Sequence, residues 1–162
     1  MAAVIAAFIQ FAQPTHLLAV VALGLLVRSA SPIIAFVLGL LTGSIAIAFA
    51  MRETPSTLVL LGIAAVAGMI AALARPLPIL VASVLAFVTG VALALNSPPQ
   101  AITTPEAIKE QITTGNAAVL LLAGSAWLAA KATRPWRRIG VRIAGSWIAA
   151  SAILVLALRL AR

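Results

Sequence analysis

Residues 77–95 read LPILVASVLAFVTGVALAL and contain no charged side chain. A helix needs about 20 mostly apolar residues to cross a bilayer, because each residue adds about 1.5 Å along its axis. This stretch therefore predicts a transmembrane helix. Five further apolar segments are separated from it and from one another by Pro, Gly or charged residues. The predicted spans cover residues 2–27, 32–51, 56–74, 77–95, 115–130 and 139–158.

The composition of the whole chain indicates the same class of protein. Of the 162 residues, 64% are hydrophobic and only 9% are charged, and the mean hydropathy is +1.20. A soluble domain with so few charges would expose large apolar patches to water. We therefore expect an all-α fold, a polytopic membrane helix bundle of about six transmembrane helices that forms a single integral membrane domain over residues 1–162. Short connections at 28–31, 52–55 and 75–76 favour antiparallel neighbours.

The first predicted span contains a proline in its middle. Pro14 has no N–H and disfavours helix at Gln13, so we expect a helix that is broken at Pro14. Broken helices in membranes can line substrate sites, whereas a kink that only improves packing is the simpler interpretation. A cleaved signal peptide is a further alternative. The segment has no basic n-region and no clear cleavage motif, which disfavours that alternative.

The longest connection between spans is polar and covers residues 96–114. Within it, Thr104, Pro105 and Glu106 are typical of an N-cap, a first helical position and a first-turn acid. We expect a short surface helix that begins there, separate from the next span. Its charged residues, Glu106, Lys109 and Glu110, are expected on a solvated or interfacial face.

Basic residues predict the orientation. The loop 131–138 carries Lys131, Arg134, Arg137 and Arg138, and basic loops favour the cytoplasmic side. With six spans, both termini then lie outside the cytoplasm, in a membrane that we expect to be the bacterial inner membrane. Lipid headgroups are the expected counter-charge for these four residues. Despite a net charge of +8, nucleic acid is not an expected partner, because no element suited to reading a groove or stacking on bases is visible.

Glycines predict where helices pack closely. The stretch GLLTG places Gly39 and Gly43 four residues apart, on one face of a helix. Small residues on one face let a second helix backbone approach. We expect the same role for Gly62, Gly68, Gly140 and Gly145.

The reactive side chains are few. The chain has no Cys, one His and three acids, all of them Glu. Without Asp there can be no Ser-His-Asp triad, and no glycine-rich phosphate loop is present, so we expect no catalytic residue, no enzyme activity and no cofactor. A nickel or zinc site uses three or more imidazole, thiolate or carboxylate ligands. His16 and Glu53 together would supply at most two.

Several segments, in this order, resemble the HupE/UreJ family of hydrogenase and urease accessory membrane proteins. They are THLLAVVALGLL (15–26), IIAFVLGLLTG, ETPSTLVLLGIA, TGVALALNSP (89–98) and the last span, RIGVRIAGSWIAASAILV. The resemblance implies a small polytopic membrane fold and a role in nickel uptake. It also implies that Glu53 stands where the family carries a glutamate.

The chain departs from this family at its metal-binding positions. The family's first motif is His, five residues, Asp and His, and the matching positions here are Ile9, Thr15 and His16. In the fourth span, two histidine positions match Thr89 and Leu93, and an acid position matches Asn96. The resemblance therefore implies that His16 and Glu53 are what remains of a metal site.

Two functions stay open from the sequence. The first is an accessory or structural subunit that docks on other membrane protein subunits. The second is a permease for nickel, another metal ion or a small solute, with a path along Gln10, Gln13, His16, Thr89 and Asn96. A simpler interpretation exists for these polar groups: Ser and Thr in membrane helices often bond to their own backbone four residues earlier, and His16 could bond to a backbone carbonyl. The same applies to Thr42, Ser44 and Ser83.

Overall fold

A computed structural model describes residues 14–27, 29–48, 56–73, 77–97 and 104–161. These residues form six helices and, within those ranges, no strand. The helices are α1 (Pro14–Leu26), α2 (Ala30–Ala48), α3 (Ser56–Leu73), α4 (Ile79–Asn96), α5 (Thr104–Ala130) and α6 (Pro135–Leu160). The prediction of an all-helical bundle of about six helices is confirmed.

The helices differ in length. By length and composition, α2, α4, α5 and α6 are long and apolar enough to cross a membrane, and α1 and α3 are shorter apolar helices. These are the helices of an integral membrane protein. The predicted break at Pro14 falls at the edge of the described residues: α1 is described from Pro14, and residues 2–13 lie outside the described residues.

The prediction of a polar loop over residues 96–114 was wrong for 104–114. Helix α5 is described from Thr104 and continues without interruption to Ala130, as one long helix instead of a short one. Pro105 lies in the first turn, where its missing N–H is not needed, and no other proline occurs between 106 and 130. Gly115 costs the helix only about 1 kcal/mol, and a Cβ at this position would lie 3.9 Å from the side chain of Leu40 in α2.

The surface face predicted for this region also needs correction. Glu106 and Lys109 are exposed as expected, but Glu110 is only 7% exposed. Glu110, Thr114, Ala118 and Leu122 follow one another at intervals of four residues, and all four are buried. The buried face of α5 therefore extends into its polar first turns.

Glycines set the closest helix contacts. A Cβ on Gly39 would meet the backbone oxygen of Phe87, and one on Gly43 would lie 2.9 Å from the backbone oxygen of Val91. The later glycine of α2 faces the later residue of α4, so the two helices run parallel. This close approach is possible only because neither glycine carries a side chain.

The contact between α3 and α6 has the opposite direction. A Cβ on Gly68 would lie 2.8 Å from the backbone nitrogen of Ala149, and one on Gly145 would lie 2.8 Å from that of Ala72. The later residue in α3 thus faces the earlier residue in α6, and the two helices are antiparallel. Near the end of α1, Gly24 contacts Ser125 near the end of α5.

Two of the predicted packing glycines make no such contact. Nothing lies within 4 Å of the position that a Cβ would occupy on Gly62 or on Gly140. Conversely, Gly24 and Gly90, which were not predicted, are tightly packed. Spacing within one helix cannot identify the face that meets a neighbour, because these helices are apolar on every side.

All six helices contribute to one buried apolar cluster, and its members include Leu23, Phe36, Leu60, Leu93, Leu122 and Ala152. Because successive helices alternate in direction, the helix ends gather at two opposite ends of the bundle. The polar end holds the starts of α1, α3 and α5, with His16, Thr57 and the end of α4 at Asn96. The basic end is opposite and holds the loop 131–134 and the start of α6.

Candidate functional site

Three helices meet at the polar end through a chain of side-chain hydrogen bonds. Thr57 of α3 donates its hydroxyl to Asn96 Oδ1 at 2.7 Å. Asn96 Nδ2 lies 2.7 Å from Nε2 of His16, which is completely buried at the start of α1. We call His16, Thr57 and Asn96 the polar triad.

The donors and acceptors in the polar triad define the protonation state of the His16 imidazole. An amide nitrogen is a donor only, so with Asn96 Oδ1 accepting from Thr57, Asn96 Nδ2 donates to His16 Nε2. The imidazole is then neutral, with its proton on Nδ1. A neutral ring suits a buried position, because a charged one would need an opposite charge beside it. The triad thus ties together three helix ends without any net charge.

Further polar side chains are buried at the same end. Ser97 follows Asn96 directly, and Glu110 and Thr114 lie on the early turns of α5; all three are less than 9% exposed. Gln111 donates to the Ser44 hydroxyl at 3.0 Å, which links α5 to the last turns of α2. The polar end is therefore the part of the described bundle where buried hydrogen-bonding groups concentrate.

The structure brings together only part of the predicted solute path. His16 and Asn96 are in direct contact, although the simpler interpretation had placed a backbone carbonyl opposite His16. Thr89 is completely buried two turns earlier in α4, and its hydroxyl donates to the backbone oxygen of Leu85. Gln10 and Gln13 lie outside the described residues, as does the predicted metal ligand Glu53.

Other membrane hydroxyls behave as the simpler interpretation predicts. Thr42 donates to the backbone oxygen of Leu38, and Ser44 donates to that of Leu40, each at 2.8 Å. Ser83 differs, because its hydroxyl lies 3.2 Å from the hydroxyl of Ser31 in α2. The Thr42 hydroxyl is thus bonded within its own helix, whereas the Ser44 hydroxyl also accepts from Gln111 of α5.

A metal site does not form among the residues that the structure describes: no group of three or more His, Cys, Asp or Glu side chains lies close together there. The ring nitrogen Nε2 of His16 accepts from an amide, which leaves its lone pair engaged. The arrangement can hold helix ends in register and bind hydrogen-bonding groups, but it does not have the ligand set of a selective nickel or zinc site.

Thr57 is the member of the triad that the sequence did not identify. Its signal was weak, since it is one of several hydroxyl residues near the start of a span. Thr57 is nevertheless a polar residue in the first turn of α3. If successive spans alternate in direction, α1 and α3 start at the same end of the bundle, which places Thr57 level with His16.

At the basic end, two of the four predicted headgroup residues lie on aromatic rings. The ammonium of Lys131 is 3.6 Å from the centre of the Trp127 ring, and the guanidinium of Arg137 is 5.2 Å from that of Trp136. Arg137 also donates to the backbone oxygen of Lys131 at 3.4 Å. These contacts keep both cations at the surface, where aromatic and basic side chains favour the membrane interface.

Comparison of the chain with family models, with curated proteins and with solved structures finds no match.

Proposed function

We propose that this chain is a non-catalytic accessory subunit of a larger membrane complex, and that it docks through the outward face of α6. The observation that carries the proposal is Trp147, which is 73% exposed on α6 although it lies far from either end of that helix. The proposed setting is the bacterial inner membrane, with both termini outside the cytoplasm.

Trp147 lies deep in the membrane-spanning part of α6. It lies about 18 Å along the helix axis from Pro135, given a rise of about 1.5 Å per residue. The predicted span 139–158 is centred beside it, so the ring falls near the middle of a hydrocarbon core about 30 Å thick. Tryptophan that faces lipid is usually found at the interfaces instead.

The indole N–H of Trp147 needs a hydrogen-bond acceptor. It is a donor that lipid tails cannot satisfy, and no residue in the described part of the chain accepts a hydrogen bond from it. A partner helix can supply an acceptor together with a flat apolar surface for the ring. A protein partner therefore explains the position of Trp147 better than lipid does.

The surroundings of Trp147 suit a helix as the partner. Gly140, Ala144, Trp147 and Ser151 are spaced by four, three and four residues and so share one face of α6. The first three are exposed, and no atom lies within 4 Å of a Cβ placed on Gly140. Small residues beside a large ring leave room for a second backbone to approach.

The exposure of α6 as a whole also supports docking of a partner on this helix. Within Pro135–Leu160 the buried residues are Gly145, Ile148, Ala149 and Ala152, which lie within eight residues of one another. Its main contact within the chain is with α3, through Gly68 and Gly145. Most of its surface is therefore available to a partner.

A permease is the second candidate, and the polar triad is the observation that favours it. Membership of the HupE/UreJ family, proposed from the motifs, would favour it too. Against it, the triad is neutral and internally bonded, and completely buried apolar side chains such as Leu23, Leu60 and Leu122 lie in the core beyond it. Tight nickel binding by the purified chain that His16→Ala abolishes would favour the permease.

Native purification combined with site-specific crosslinking tests the docking proposal. A photoreactive residue at position 147 should crosslink to another subunit, and one at Leu120, which is also 73% exposed but lies on α5, should not. Trp147→Leu keeps apolar bulk but removes the donor, and it should lower recovery of the chain in the complex several-fold. Trp127→Leu, at a 57% exposed position on α5, is the matched control.

A chain that leaves the membrane alone and crosslinks to no protein at position 147 would overturn the proposal. So would equal loss of the complex in Trp147→Leu and Trp127→Leu, because that result would point to a general need for surface tryptophans.

A further inference from the structure

The basic end contains a cavity of about 510 Å³ between the ends of α1, α3 and α5 and the start of α6. Its volume lies within the range of about 300–1,000 Å³ that is usual for small-molecule sites. Apolar side chains, among them Leu26, Ile70 and Val141, line one part of it. Thr133, Arg138 and Arg142 line the other part. The cavity is therefore amphipathic, with its charged groups on α6.

The two arginines are presented to the cavity by the geometry of α6. Arg138 and Arg142 are four residues apart, so they lie on one face of the helix. Nε of Arg142 donates to the backbone oxygen of Ala72 at 2.9 Å, which fixes the guanidinium at the last turn of α3. A guanidinium has five N–H donors, so this bond leaves most of the donors of Arg142 available for a ligand.

Arg138 and Arg142 are the two basic residues that line the cavity, and they differ from Lys131 and Arg137 nearby. Lys131 and Arg137 lie on the rings of Trp127 and Trp136 at the surface. No aromatic ring or acceptor in the described residues engages the guanidinium of Arg138. These two arginines are thus set apart as a pair that faces a shared space.

Among the described residues, the pair has no acidic counter-charge on its own side of the bundle. The chain contains only three acidic residues, Glu53, Glu106 and Glu110, and the connections 27–31, 74–78 and 131–134 contain none. Glu106 and Glu110 belong to the first turns of α5, at the polar end. Two like charges one turn apart repel each other, and an anion bound between them would relieve that repulsion.

We propose that this cavity binds a phosphate ester, with Arg138 and Arg142 holding the phosphate oxygens. Arginine binds phosphate through paired N–H donors, and the Thr133 hydroxyl can add one more hydrogen bond. The apolar lining then packs against the carbon part of the ester. Both an anionic phospholipid and a soluble phosphate ester carry this chemistry, and basic pockets between membrane helices are known to accept lipid headgroups. The proposal is independent of the docking face on α6.

Lipid and phosphate titrations of the full-length chain in neutral detergent test this site. Phosphatidylglycerol should bind and raise the melting temperature, and phosphatidylcholine should do neither. Arg138→Gln should weaken phosphatidylglycerol binding at least tenfold, and Arg138→Gln/Arg142→Gln should weaken it further. Arg137→Gln removes the same charge one residue away, outside the cavity lining, and should change binding by less than threefold.

Titration with glycerol 3-phosphate distinguishes the two sources. If it displaces the lipid at millimolar concentration and Arg138→Gln abolishes its effect, the site also takes soluble esters. If it has no effect while the lipid binds, the ligand is a membrane lipid. Either result supports the site.

Equal weakening by Arg138→Gln and Arg137→Gln would overturn the proposal, because general surface charge would then explain the binding. Unchanged binding in Arg138→Gln would also overturn it. The single variant removes no hydrogen bond that the described part of the chain makes, so it separates loss of the site from loss of the fold.

Discussion

Asn96 bonds to partners that are far apart in the chain. Its amide reaches His16, 80 residues earlier, and Thr57, 39 residues earlier, at 2.7 Å each. One amide has both donors and acceptors, so it can satisfy a hydroxyl and an imidazole at once. A Leu at this position could do neither and would leave the buried imidazole of His16 and the half-buried hydroxyl of Thr57 without the bonds that they make with Asn96 now.

Replacement of the Asn96 amide should lower the stability of the chain measurably. We expect Asn96→Leu to lower the free energy of unfolding by about 1–3 kcal/mol, the usual cost of removing a partner from buried polar groups. The measurement is denaturant-induced unfolding in mixed micelles, followed by tryptophan fluorescence.

Thr89→Val is the matched control for this change. Thr89 is on the same helix and completely buried, but its hydroxyl bonds only within α4, to the backbone oxygen of Leu85. Its loss should cost less than about 1 kcal/mol, because the Leu85 oxygen keeps its place in the helix. Equal costs for the two variants would show that the triad does not hold the helices together.

The triad shows the limit of sequence reasoning at the scale of the residue. His16 and Asn96 were both identified as polar groups of interest, but their contact was not predicted. A contact between two helices depends on how each one is rotated about its axis, and an apolar stripe usually reveals that rotation. Here the helices are apolar on all sides, so the sequence contains little information about it.

At the scale of the element, α3 carries two glycines with opposite surroundings. A Cβ on Gly68 would lie 2.8 Å from backbone atoms of Gly145 and Ala149, whereas nothing lies within 4 Å of one on Gly62. The same substitution should therefore have opposite effects at the two positions.

We expect Gly68→Ala to destabilise the chain by about 1–3 kcal/mol, because the added methyl group must push α3 away from α6. Gly62→Ala should instead stabilise it by up to about 1 kcal/mol, since alanine is the better helix former. Melting temperatures of the two variants, measured in the same detergent, check both signs. A stabilising Gly68→Ala would mean that α3 and α6 are not in close contact.

Helix boundaries were easier to predict than helix contacts. The predicted span 77–95 differs by no more than two residues at either end from α4, Ile79–Asn96, because proline and polar residues interrupt apolar segments locally. The continuity of α5 was missed, since its polar first turns were assigned to a surface helix. The burial of Glu110 depends on neighbouring helices, which no local signal in α5 describes.

At the scale of the whole molecule, the alternating helix directions put the polar end and the basic end on opposite sides. The described basic end carries Lys131, Arg134, Arg137, Arg138 and Arg142, and the described polar end carries only Lys109 and Arg159. Such an excess of basic residues favours the cytoplasmic side. This distribution of charge supports the proposed orientation.

Cysteine labelling tests this orientation cleanly, because the chain has no native cysteine. Ile108→Cys places an exposed thiol on α5 at the polar end, and Thr133→Cys places one at the basic end. Neither substitution alters a charge. In intact cells, a membrane-impermeant maleimide should label the variant at position 108 and not the one at 133, and inverted membrane vesicles should give the reverse pattern. Labelling of 133 alone in intact cells would invert the orientation. Equal labelling of both from one side would contradict the arrangement of the two ends across the membrane.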